Sequence, residues 1–134
     1  MNSNVTVSIG SEKYKTEVII GKHTLQIDEP ESIGGKDLGP TPIDLLLSSI
    51  GTCKAITMRM YADNKNWPLE KIEINLSLEV VKNNANQFTQ IDVEVNLVGN
   101  LDEQQKERII KVGDKCPVHK MMSNPFKIET RLRQ

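Results

Sequence analysis

The residues with the most chemistry in this sequence are two cysteines, Cys53 and Cys116, and a histidine just past the second, His119. Cys116 precedes a proline in Asp-Lys-Cys-Pro-Val-His-Lys. Proline favours the first position of a helix, so Cys116 reads as the N-cap, where unpaired backbone N–H groups and the helix dipole stabilise a thiolate. His119 then lies one helical turn further on, and Lys115 and Lys120 add positive charge. Cys53 falls inside a helical pattern, on the face of Ser49, Thr57 and Met60. Taken singly, each cysteine also reads as an ordinary residue, Cys116 as a cap and Cys53 as core packing, with His119 a solvated helix residue. Taken together, with no third cysteine in the chain, they suggest one thiol that attacks and one that resolves the resulting sulfenic acid.

Other chemistries fit less well. Two cysteines and His119 leave a zinc site one ligand short, and the CxxC spacing of zinc modules is missing. No Gly-x-Ser-x-Gly elbow serves serine chemistry, and Gly34, Gly35 and Gly39 match no phosphate-binding pattern. His23 belongs to an exposed strand. Met58, Met60, Met121 and Met122 read as adaptable core, or as a greasy wall for an apolar substrate.

These residues must be positioned by a mixed α+β chain. Val5, Val7 and Ile9 alternate with polar residues, and Tyr14 to Ile20 and His23 to Ile27 flank a Gly21-Lys22 turn, which predicts a small N-terminal meander. Residues 29–42 then hold three of the six prolines and three of the eight glycines, a long loop of the kind that often carries function. Thr41-Pro42-Ile43-Asp44 is a helix start, with Thr41 as N-cap and Asp44 as the capping-box acid. The helix from about 42 to 64 is apolar nearly all round in its first turns, with small residues among them, so it is expected to be buried and closely approached by another helix.

Ile72, Ile74, Leu76, Leu78 and Val80 alternate strictly, as do Ile91, Val93, Val95 and Leu97 beyond an Asn-rich turn. These predict two long antiparallel strands with one buried face. Asn100 to Val112 reads as an amphipathic helix stopped by Gly113, Cys116-Pro117 opens a short helix, and Ile128 and Leu132 suggest a last strand.

A chain of 134 residues with 37% hydrophobic and 26% charged residues suits one domain, 1–134. A net charge of -1, spread evenly, offers no funnel for a nucleic acid backbone. Asp44, Lys54 and Arg59 interrupt the longest apolar-rich stretch, so no membrane span is expected, and the N-terminus has no secretory pattern. The cytoplasm is the expected compartment, where both cysteines stay reduced.

Three segments carry a resemblance: Gly-Pro-Thr-Pro-Ile-Asp-Leu-Leu-Leu-Ser-Ser-Ile-Gly-Thr-Cys at 39–53, Met-Arg-Met-Tyr-Ala at 58–62 and Cys-Pro-Val-His-Lys at 116–120. The chain resembles the OsmC/Ohr family over essentially its whole length, and within it the less-characterised OsmC-like branch. The resemblance implies an α+β fold with antiparallel sheets wrapped around a long central helix in an intertwined homodimer, with two sites at the interface. It implies thiol-dependent reduction of organic or fatty acid hydroperoxides in oxidative stress defence, without a cofactor, recycled by a thiol reductant. Cys53 stands where the family has its attacking thiolate and Cys116 where it has its resolving cysteine. The family's hydroperoxidases carry a glutamate directly after the proline that opens the central helix; here that residue is Ile43, with Asp44 one place later. They also use an arginine from the N-terminal region, and this chain has none before Arg59, which leaves Arg59, Lys13, Lys15 or a lysine of the other chain to hold the thiolate. The alternative use of the same architecture is a non-catalytic redox or small apolar ligand-binding dimer.

Overall fold

The computed structural model describes residues 3–133. The elements are three short strands, β1 (Thr6–Ile9), β2 (Thr16–Ile20) and β3 (His23–Ile27), a single 3-10 turn at Glu31–Ile33, and the long helix α1 (Pro42–Asn64). The hairpin β4 (Leu69–Asn83) and β5 (Asn86–Gly99) follows, then α2 (Glu103–Gly113) and α3 (Pro117–Met122). The chain divides into two compact units, one up to Leu46 and one from Leu47, the division falling within the α1 segment of the sequence.

In the first unit β1, β2 and β3 form an antiparallel sheet in that order. The loop after β3 is organised around Asp28, a buried residue that sequence periodicity did not single out. Its carboxylate accepts backbone N–H groups from Glu29 at 2.7 Å, Tyr14 at 3.2 Å, Leu38 at 3.2 Å and Lys36 at 3.3 Å. The chain must pass so close to itself here that a Cβ on Gly35 would collide with the carbonyl oxygen of Glu29. Burial pushes the Asp28 pKa up, but the four donors, led by Glu29 and Leu38, outweigh it and hold the carboxyl below the ordinary carboxylate value.

A carboxyl whose folded pKa is lower than its unfolded one contributes stability above the unfolded pKa, and that contribution disappears as pH falls through the folded value. Asp28→Asn offers one acceptor oxygen where the carboxylate offered two. It is expected to make residues 29–39 more susceptible to limited proteolysis at neutral pH, with the difference from the unsubstituted protein vanishing in acid.

In the second unit one face of the hairpin is apolar over four successive pairs: Ile72 opposite Leu97, Ile74 opposite Val95, Leu76 opposite Val93, Leu78 opposite Ile91. A two-residue turn at Asn84-Ala85, with Asn84 at φ 57°, closes it. Helix α1 ends in a Schellman motif: Asn66 takes φ 57°, its N–H reaches the Asp63 carbonyl, and Trp67 N–H reaches Ala62. Trp67 then meets Tyr61 edge-on at 5.6 Å. Met58, Ala62, Leu69, Leu101 and Ile109 make the core of this unit.

Two expectations change. Gly113 is the last residue of α2 and is not left-handed; it packs so close to buried Met58 that a Cβ there would displace the terminal methyl of that side chain. The cap of α2 is at its other end, where Asp102 and Gln105 form a capping box. The segment around Ile128 and Leu132 is not a strand. Both side chains stand open, at 82% and 90% exposure, because within the described residues its backbone pairs with no strand.

Candidate functional site

Along α1, Ile50, Lys54, Met58 and Ala62 recur every four residues and are all buried. This is one stripe of a helix, and a lysine stands in it. Lys54 is only 4% exposed. Its ammonium lies 2.8 Å from Asp114 Oδ1 and 2.8 Å from His119 Nδ1. An ammonium can only donate, so Nδ1 accepts and the neutral ring carries its proton on Nε2. Asp114 is the C-cap of α2, an end where helix carbonyls disfavour negative charge, so Lys54 offsets an otherwise unfavourable placement.

Cys116 is the N-cap of α3, its sulfur accepting from His119 N–H at 3.4 Å, and it is fully buried. Position and burial oppose each other at this thiol. Burial pushes its pKa up most strongly, the hydrogen bond from His119 pulls it down, Cys53 raises it again as hydrogen-bond partner and as charge, and Lys54 lowers it by its charge; the net direction is up. The N-cap position therefore does not make Cys116 the readier thiolate. The same neighbourhood brings Cys53 and Cys116, distant in sequence, side by side, both as free thiols, with Cys53 the more exposed of the two.

The other residues singled out from sequence sit as follows. The Thr57 hydroxyl donates to the Cys53 carbonyl at 2.8 Å. The Arg59 guanidinium is held by Asp63 Oδ1, 3.0 Å from Nε, and by the Leu69 carbonyl at 2.7 Å, so it ties α1 to the start of β4. Asp44 forms a capping box with Thr41, each N–H donating to the other's side chain at 3.1 Å and 2.9 Å. His119 joins the Lys54 cluster.

Sequence reasoning passed over Lys54, reading it only as a break in an apolar stretch, and passed over Asp114. The available signal was the spacing: a lysine at the fourth place after Ile50 and the fourth before Met58 belongs to the buried stripe.

A cavity of about 510 Å³ opens beside this cluster, with Ile50, Ile91, Val93 and Met122 as apolar walls and Lys54, His119 and Asp114 as polar ones. Of the four methionines that read as core or as a greasy wall, Met122 lines this cavity, Met58 is buried in the core, and Met60 and Met121 are exposed. Among the described residues no three His, Cys, Asp or Glu side chains converge as metal ligands, and no helix is long and apolar enough to cross a membrane.

Solved structures share this fold at low identity. An OsmC-like protein from Mycoplasma pneumoniae superposes with a TM-score of 0.77 at 18% identity, covering 92% of this chain and 88% of that one. A Legionella pneumophila organic hydroperoxide resistance protein OsmC, described as a predicted redox protein, gives 0.68 at 15% identity, covering 91% and 89%. The organic hydroperoxide resistance protein OhrB of Bacillus subtilis gives 0.64 at 18% identity, covering 91% and 90%. No curated protein matches the sequence. The two antiparallel sheets with one long helix are thus an OsmC/Ohr architecture, and since the family model for OsmC-like proteins matches residues 34–131, the chain belongs to the OsmC-like family.

Proposed function

We propose that this protein is a cysteine-based peroxidase that reduces organic hydroperoxides, with Cys53 as the attacking thiolate and Cys116 as the resolving thiol. The observation that carries the reading is the contact between two free thiols from distant parts of the chain, the buried one raised in pKa and the more exposed one beside it. The names of the Legionella pneumophila and Bacillus subtilis relatives point to the same substrate class.

In this reaction the Cys53 thiolate attacks the terminal oxygen of R–O–O–H. The O–O bond breaks, Cys53 becomes a sulfenic acid, and the alkoxide leaves as the alcohol after taking a proton. Cys116 then condenses with the sulfenic acid, releasing water and forming a disulfide, which an external thiol reductant reopens. Lys54, buried and charged, takes the place expected of Arg59 as the supporting cation. The cavity beside Lys54 and His119, whose lining includes neither cysteine, has apolar walls that suit an alkyl chain. Stopped-flow mixing of the reduced protein with an alkyl hydroperoxide is expected to oxidise Cys53 faster than hydrogen peroxide does; absence of any Cys53 oxidation would remove the reading.

The working unit in this proposal is a cytoplasmic homodimer. Ile56 and Met60, one turn apart on α1, are 55% and 66% exposed, and the apolar tail around Ile128 has no cover. Light scattering should give twice the chain mass at micromolar concentration, and Ile56→Arg should shift it toward monomer.

A further inference from the structure

The peroxidase reading leaves one requirement unmet. An alkoxide is a strong base and a poor leaving group, so cleavage of the O–O bond is fast only if a proton reaches the departing oxygen as the bond breaks. The attacking thiolate cannot supply it, and Cys116, buried beside Cys53, is the thiol kept for resolution.

His119 lines the cavity, and its Nδ1 accepts from Lys54 at 2.8 Å. Its Nε2, which carries the ring proton in that tautomer, has no protein partner among the described residues. His119 sits on the same short helix as the resolving thiol, its backbone N–H bonded to Cys116 Sγ at 3.4 Å. Lys54 is in turn held by Asp114 Oδ1 at 2.8 Å. Asp114, Lys54 and His119 thus form a line among the residues of the cavity wall, ending in a His119 N–H with no protein partner among the described residues.

Resting on the peroxidase reading, we infer that His119 is the general acid of the reaction, delivering its Nε2 proton to the leaving alkoxide while Lys54 transfers a proton to Nδ1. The balance closes. Before the step, Cys53 is a thiolate and Lys54 an ammonium; after it, Cys53 is a sulfenic acid, Lys54 a neutral amine held by Asp114, and the product an alcohol. The sulfur has lost two electrons to the peroxide bond, the ring has passed one proton on and received one, and Lys54 regains its proton from solvent. A neutral histidine serves here because the ammonium behind it removes the need to form an imidazolate. The charged groups against the ring are Lys54 and Asp114, and Asp92 lines the same cavity.

The relay predicts a dependence on the leaving group that a structural role for His119 does not. A peracid releases a carboxylate, which needs no proton near neutral pH, whereas tert-butyl hydroperoxide releases an alkoxide, which does. Single-turnover oxidation of the reduced protein should be followed with tert-butyl hydroperoxide and with peracetic acid. In His119→Gln the ratio of the first rate to the second is expected to fall about 10²-fold. Lys54→Arg keeps the cation but does not give up its proton, and the same fall in ratio is expected. An unchanged ratio in both variants, or equal losses with both oxidants down to no reaction, would overturn the relay. An unsubstituted protein that neither oxidant converts would overturn the peroxidase reading itself, so the two failures are distinct.

Discussion

Cys53→Ser is expected to abolish hydroperoxide consumption completely, including the first turnover of fully reduced protein, whereas Cys116→Ser should complete one turnover and then stop. The asymmetry follows from the environment of the two sulfurs. Cys116 is sealed, and burial together with the neighbouring Cys53 keeps it in the thiol form. Cys53 is the more exposed of the pair, which favours it as the sulfur that meets the peroxide. Once Cys53 has been oxidised its charge is gone, and with it one of the causes that raise the Cys116 pKa, while Lys54 and the His119 N–H still act to lower it. Resolution is therefore easier after attack than before. Quantifying peroxide loss per protein, with mass spectrometry of the product, checks this. Cys116→Ser should accumulate sulfenic acid or its over-oxidised forms on Cys53, and the unsubstituted protein an intramolecular disulfide. A full first turnover in Cys53→Ser would transfer the nucleophile to Cys116.

Lys54→Met is the second substitution with a large expected effect, and its signature is that reactivity and stability move apart. A buried ammonium is expensive to desolvate, and an apolar side chain of similar size removes that cost. Asp114, the partner, is 64% exposed at its side chain, so losing Lys54 does not strand a buried carboxylate. The midpoint of thermal unfolding should stay level or rise. The rate of Cys53 oxidation, in contrast, should fall on the order of 10²-fold, the usual loss when one preorganised charge is removed from a reacting centre. A parallel loss of folding and reactivity would make Lys54 a structural residue. Stability and function pulling in opposite directions is the pattern expected where a charge is kept in a core for its chemistry.

The local elements were legible from residue order alone, because each rests on chemistry within a few residues. Thr41, Pro42 and Asp44 start α1, alternation over 72–80 and 91–97 gives β4 and β5, and Cys116-Pro117 opens α3. The motifs at 39–53 and 116–120 also carried the family, which the match over residues 34–131 then established. Local rules misled where a distant residue set the outcome. Gly113 ends α2 without the left-handed turn that a glycine stop suggests, and it lies against the far end of Met58. Ile128 and Leu132 alternate like a strand, yet a strand exists only where another strand offers its backbone.

The candidate site divides along the same line. Sequence by itself determined which atoms could react: two sulfurs, one of them capping a short helix with His119 a turn away. Only the tertiary structure decided their states. Burial of Cys116 outweighed the pull of its capping position, and the return of the chain through α2 set Asp114 and His119 against Lys54, turning a lysine that seemed to interrupt an apolar helix into the buried cation of the cluster. Desolvation and charge pairing depend on which groups meet across long stretches of chain, and neither is written in the spacing of neighbouring residues.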